Sequence, residues 1–125
     1  MNKKALVLGA VFGLLTVMIG AFGAHALKDL LEENGRLEVF ETGVRYQFYH
    51  AIALLVCGLL DEKLVGSWVA KATYLFSIGV LVFSGSLYIL SITNVAIFGA
   101  ITPIGGLMLM GGWLCLIAGI VKSKV

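Results

Sequence analysis

Charge is what this chain has least of. Only 13 % of its 125 residues are Asp, Glu, Lys or Arg, against roughly a quarter in soluble domains. So few charges exclude a water-facing globular surface. Proline occurs once, so only position 103 interrupts helix formation covalently. Two cysteines exclude a disulfide framework, and nothing has the Cys-x-x-Cys-His form of a haem attachment site. Nine basic residues against seven acidic ones leave no basic stripe suited to nucleic acid.

The charges are also absent from specific places. Ala5–Leu27, Tyr46–Leu60, Ala72–Ile92 and Val95–Val121 contain none, in runs of 23, 15, 21 and 27 residues. A membrane-spanning helix needs about 20 apolar residues, with a range of about 17 to 25. The second run reaches that length if Val44 is added and Arg45 extends its guanidinium to the interface. The expected architecture is therefore an all-α integral membrane protein. It forms one domain over residues 1–125, an antiparallel bundle of four transmembrane helices spanning about 5–27, 44–60, 72–92 and 95–121. Ala24-His25-Ala26 has the form of a signal-peptidase site, but the preceding run exceeds the roughly 7 to 15 residues of a signal sequence, which points to an uncleaved first span.

With the N-terminus inside, the inner segments hold Lys3, Lys4, Lys63, Lys71, Lys122 and Lys124, and the outer ones hold Lys28, Arg36 and Arg45. Cytoplasmic loops retain lysine and arginine, so both termini are predicted to be cytoplasmic. Between the first two spans, KDLLEENG reads as extra turns of the first helix stopped by Asn34-Gly35. Leu37, Phe40, Val44 and Phe48 then recur at helical spacing, with Glu38, Glu41 and Arg45 opposite, as in a short amphipathic segment lying in the interface. Thr93-Asn94 alone separates the last two spans and forces a tight helical hairpin. Trp68 falls where an interfacial aromatic belt is expected.

Lipid tails are as apolar as leucine, so helices associate in the membrane through close backbone contact. Gly9, Gly13 and Gly20 in the first span, and Gly105, Gly112 and Gly119 in the fourth, are the expected packing stripes. A homo-oligomer interface built on one stripe is the alternative. Pro103 could kink the fourth span or open a binding site beside Thr102.

Few polar side chains are left to carry an activity. His25, Tyr46, Gln47, His50, Ser84, Ser86, Tyr88 and Thr102 fall in the outer half of the bundle, where they are expected to meet in one hydrogen-bonded layer. That layer reads as interhelical glue or as a ligand site. No catalytic residue is assigned: no acid lies in the spans to orient a histidine base, and neither Ser84 nor Ser86 sits in Gly-x-Ser-x-Gly. No metal site and no cofactor is implied, since zinc needs roughly four ligands. Cys57 and Cys115 lie toward the inner side and read as inert apolar thiols. The leading functional expectation is a non-enzymatic protein that binds membrane lipid, another apolar ligand or a membrane partner through the polar layer. Two alternatives stand beside it: a haem-binding or redox bundle with His25 and His50 as axial ligands, and an oligomeric channel or transporter for a small solute.

GAFGAHAL, FETGVRYQFYHAIALL, FSGSLYIL and GAITPIGGLMLMGGW resemble, in order and spacing, the sequence blocks of the YwdK/YgdD-like family of small bacterial membrane proteins, a family of unassigned function with mitochondrial relatives. The resemblance runs over nearly the whole chain. It implies four transmembrane helices in a bacterial inner membrane and no particular activity. Asn94 departs from the family pattern, which implies glycine at the hairpin turn; both residues accept positive φ.

Overall fold

The computed structural model describes residues 1–125 and consists of helices without strands. They are α1 (Lys3–Ala24), α2 (Lys28–Glu33), α3 (Leu37–Leu60), α4 (Trp68–Thr93) and α5 (Ile97–Lys122). All but α2 are long and apolar enough to cross a membrane. The protein is an all-α integral membrane protein with four antiparallel transmembrane helices. They pack in chain order: α1 on α3, α3 on α4 and α4 on α5, with α2 against the end formed by α1, α3 and α4. One end of the bundle carries α2 and the α4–α5 turn; the other carries both termini and the α3–α4 loop.

Glycine sets the closest approaches. A Cβ on Gly105 would overlap the backbone of Phe83 on α4, on Gly112 it would lie 2.6 Å from the Phe76 ring, and on Gly119 2.9 Å from Trp68 Cβ. These three residues therefore form the α4–α5 seam that their seven-residue spacing predicts. Gly9 plays the same part between α1 and α3, where an added Cβ would stand 2.8 Å from the Ala51 carbonyl oxygen. Gly13 differs. It faces open space, so Gly9 and Gly13 do not make the close right-handed crossing that their spacing allows. Gly20 also stands back, 3.5 Å from Val44 to a built Cβ. Close contacts outside the expected stripes occur at Gly43 against Tyr88, Gly58 against Leu6 and Gly79 against Leu109.

The second spanning helix begins at Leu37, seven residues before the predicted start at 44. The amphipathic stretch is simply its first turns. Glu38, Glu41 and Arg45 lie on the exposed side, with Arg45 paired to Glu41 at 3.3 Å, while Phe40 is buried and Leu37 and Val44 are half-buried. The charges thus leave the helix without breaking it, and Phe48, expected on the packed face, is exposed. The short element between the first two spans is instead α2, separated from α1 rather than continuous with it. Gly35, at φ +66°, ends it as expected.

The α2 end is tightly tied. Leu31 is fully buried, and Asn34 Nδ2 donates to the carbonyls of Ser91 (2.9 Å) and Ile92 (3.2 Å) in the last turn of α4. Arg36 Nε donates to Asn94 Oδ1 at 3.0 Å, and Asn94 itself takes the left-handed conformation (φ 55°) that starts the hairpin. At the opposite end, Lys71 and Lys122 both stand 4.6 Å from the centre of the Trp68 ring, and the Met1 ammonium pairs with Glu62. That ammonium holds the exposed Glu62 carboxyl below the ordinary carboxylate value.

Candidate functional site

A central α3 gathers most of the expected polar layer. Gln47 is buried and bridges three helices: its Nε2 donates to the Phe12 carbonyl of α1 (3.0 Å), and its Oε1 accepts from Tyr88 OH of α4 (2.6 Å). Ser84 donates to the Gly43 carbonyl at 2.7 Å, an approach that the missing side chain of Gly43 permits. Ser86 and Thr102 share a hydrogen bond of 2.6 Å across the α4–α5 seam. Thr102 also donates to the Phe98 carbonyl at 3.3 Å, one turn before Pro103, and α5 continues through the proline. Tyr46 belongs to the layer only through its backbone. Its ring is exposed and packs on Phe83 and Tyr49, with centroids 4.9 and 5.6 Å away.

The histidines part company. His25 caps α1, is exposed, and uses its backbone N–H on the Ala21 carbonyl (3.1 Å). His50 is buried near the middle of α3, because the helix starts earlier than the charge pattern suggests. Gly23, two residues before His25, packs on Phe40, ten residues before His50. The two offsets add because α1 and α3 run antiparallel, so at 1.5 Å per residue the imidazoles stand roughly 18 Å apart along the bundle. One iron between them is out of reach, which removes the geometric basis of the bis-histidine haem reading.

His50 has a partner that reasoning from depth does not find. Its Nδ1 lies 2.7 Å from the Tyr46 carbonyl, and Trp113 Nε1 donates to its Nε2 at 3.0 Å. A carbonyl can only accept and an indole can only donate, so the proton sits on Nδ1 and the Nε2 lone pair is taken. The ring stands at 65° to Trp113 and 57° to Phe76 in an aromatic box. Imidazole ¹⁵N spectra should show the Nδ1–H tautomer in the wild type, and in Trp113→Phe the Nε2 resonance should shift as it loses its donor while the Tyr46 carbonyl keeps the proton on Nδ1. A wild-type ring protonated at Nε2 contradicts the assignment.

Every buried side-chain polar atom of the layer has at least one hydrogen-bond partner within the protein. Ser84 and Ser86 do not face a base: their hydroxyls are committed to Gly43, Phe83 and Thr102. No group of three His, Cys, Asp or Glu side chains is placed to hold a metal ion. The hydrogen bonds of Gln47, Ser84 and the Ser86–Thr102 pair run between helices.

Open space lies beside the layer, toward the α2 end. A groove of about 450 Å³ separates α1 from α3, floored by Gly20, Gly23 and Ala24 and walled by Leu37, Phe40 and Val44. Lys28, Glu41 and Arg45 complete the lining. Gly23 admits the edge of Phe40, and three residues earlier a Cβ built on Gly20 would meet only Val44, at 3.5 Å. Of these lining residues none belongs to the expected layer. The signal for them in the sequence is the pairing of small residues on α1 with two cations at the same end.

Residues 19–106 match the model of a family described as a protein of unknown function, DUF423. The chain belongs to the DUF423 family. Among DUF423 relatives, the UPF0382 membrane protein YwdK of Bacillus subtilis is 45 % identical over 121 residues, covering 96 % of this chain and 98 % of the relative. A UPF0382 membrane protein of Staphylococcus haemolyticus is 43 % identical over 96 % and 97 % of the two chains. The UPF0382 inner membrane protein YgdD of Escherichia coli is 31 % identical over 98 % and 93 %. No solved structure matches this DUF423 chain. The DUF423 match contains all of the groove and the layer from Gln47 to Thr102, and stops before Trp113.

Proposed function

We propose that this protein is a non-catalytic membrane protein of the bacterial inner membrane that holds a lipid in the groove between α1 and α3. The location draws on YgdD of Escherichia coli, named as an inner membrane protein. The single observation that carries the reading is the groove itself. Its roughly 450 Å³ falls within the about 300–1,000 Å³ of small-molecule sites. Its walls are apolar and its floor is glycine and alanine, so an acyl chain can lie against the helix backbone. The hydrogen-bonded layer beneath supports it by fixing α1, α3 and α4 relative to one another through Gln47. With the basic residues weighted toward the ends that carry the termini, both termini face the cytoplasm and the groove opens in the outer leaflet.

A phospholipid carrying a photoactivatable group in its acyl chain tests this in proteoliposomes. Adducts should concentrate on α1 near Gly20 and on α3 near Val44, and should fall several-fold in Gly20→Leu, whose side chain fills the groove from an uncrowded position. Val44→Phe fills it from the other wall and should act alike. Adducts spread evenly over the exposed helix faces, unchanged in both variants with wild-type melting temperatures, would falsify the proposal.

A further inference from the structure

We propose that the groove selects a phospholipid whose head group carries a single negative charge, bound by Lys28 and Arg45; the inference rests on the lipid-holding reading above. Inside a bilayer the apolar walls contribute little preference, because a chain in the groove leaves surroundings as apolar as those it enters. Selectivity must then come from the mouth. Three charged groups line it: Lys28, Arg45 and Glu41, with a net charge of +1.

Their pairing is unequal. Glu41 accepts from Arg45 Nη2 at 3.3 Å, which occupies one of the five N–H donors of the guanidinium. The remaining fork suits two phosphate oxygens. Lys28 forms no ion pair, as the chain's two salt bridges are Met1 to Glu62 and Arg45 to Glu41. Both cations are exposed side chains carried on fixed backbone at the mouth. Arg45 stands on the buried central helix, and Lys28 opens α2, which Leu31 and the Asn34 bonds to α4 lock in place. A phosphodiester with a neutral polar substituent balances the +1 mouth. A zwitterionic head group brings a second cation toward Lys28 and is disfavoured.

Native mass spectrometry of the detergent-solubilised protein, offered equal amounts of chain-matched phosphatidylglycerol and phosphatidylcholine, reads the preference directly. The wild type should retain phosphatidylglycerol over phosphatidylcholine. Lys28→Gln should reduce that preference about fivefold, as expected for one cation worth ~1 kcal/mol near a membrane surface. Lys28→Gln with Arg45→Gln should abolish it, and Glu41→Gln should strengthen it. Equal retention of the two lipids, or a preference that survives the double substitution, overturns the head-group assignment while leaving the groove reading intact. Retention of neither lipid overturns both. Displacement of phosphatidylglycerol by millimolar inorganic phosphate would show a site for free anions and overturn the phospholipid assignment.

Discussion

Gly105→Leu should be among the most damaging single substitutions in the protein, lowering stability by about 3 kcal/mol or more in detergent unfolding. Its first added atom would already lie 2.7 Å from Phe83 Cα, and backbone does not rotate aside as a side chain does. The α4–α5 pair can accommodate that atom only by separating, which also strains the Ser86–Thr102 hydrogen bond in the same seam. Gly105→Ala should cost less but still destabilise, although alanine is the better helix former by about 1 kcal/mol. Gly13→Ala provides the contrast. Nothing lies within 4 Å of its built Cβ, so the propensity gain is unopposed and the variant should be neutral or slightly stabilised. Equal effects at the two positions would refute the α4–α5 seam.

Gln47→Leu should cost about 2 kcal/mol. It removes the hydrogen bonds to Phe12 and Tyr88, each worth about 0.6 kcal/mol on average and up to about 1.7 between membrane helices. It also leaves the half-buried Tyr88 hydroxyl without its acceptor, a further penalty of about 1 kcal/mol. The Phe12 carbonyl fares better, because the Thr16 hydroxyl also reaches it at 2.6 Å. Adding Tyr88→Phe to Gln47→Leu removes the stranded hydroxyl, so the double variant should lose less than the sum of the two singles. Strict additivity would mean that Gln47 and Tyr88 are not coupled.

These two sites show where residue patterns suffice and where they do not. Gly105, Gly112 and Gly119 repeat every seven residues, and that regularity by itself marks a seam. Gln47, Ser84, Ser86, Tyr88 and Thr102 can be grouped by depth, since a polar side chain in lipid must find another. His50 lies deeper than the charge pattern predicts, because charge is a poor marker of where a helix ends. Glu38, Glu41 and Arg45 mark where α3 meets the interface, yet helix formation needs only that they share its outer face, so α3 begins at Leu37. The shift puts His50 beside Trp113, an aromatic that carries no polar signal in a hydropathy pattern. His25 departs from the layer for the converse reason: it closes an apolar run, but α1 ends at Ala24 and leaves it exposed. The groove is least legible. It depends on how the side chains of α3 pack around Gly20 and Gly23 of α1, which no periodicity encodes.

The proposed function assigns ligand recognition to the α2 end and leaves the polar layer to join the helices. An experimental structure determined in lipid nanodiscs tests that division most directly. It should show elongated density over Gly20 and Ala24, with its broad end between Lys28 and Arg45, and no foreign density among Gln47, His50 and Ser84. A groove closed by its own side chains, or one empty while lipids are resolved on the outer faces of α1 and α5, would contradict it.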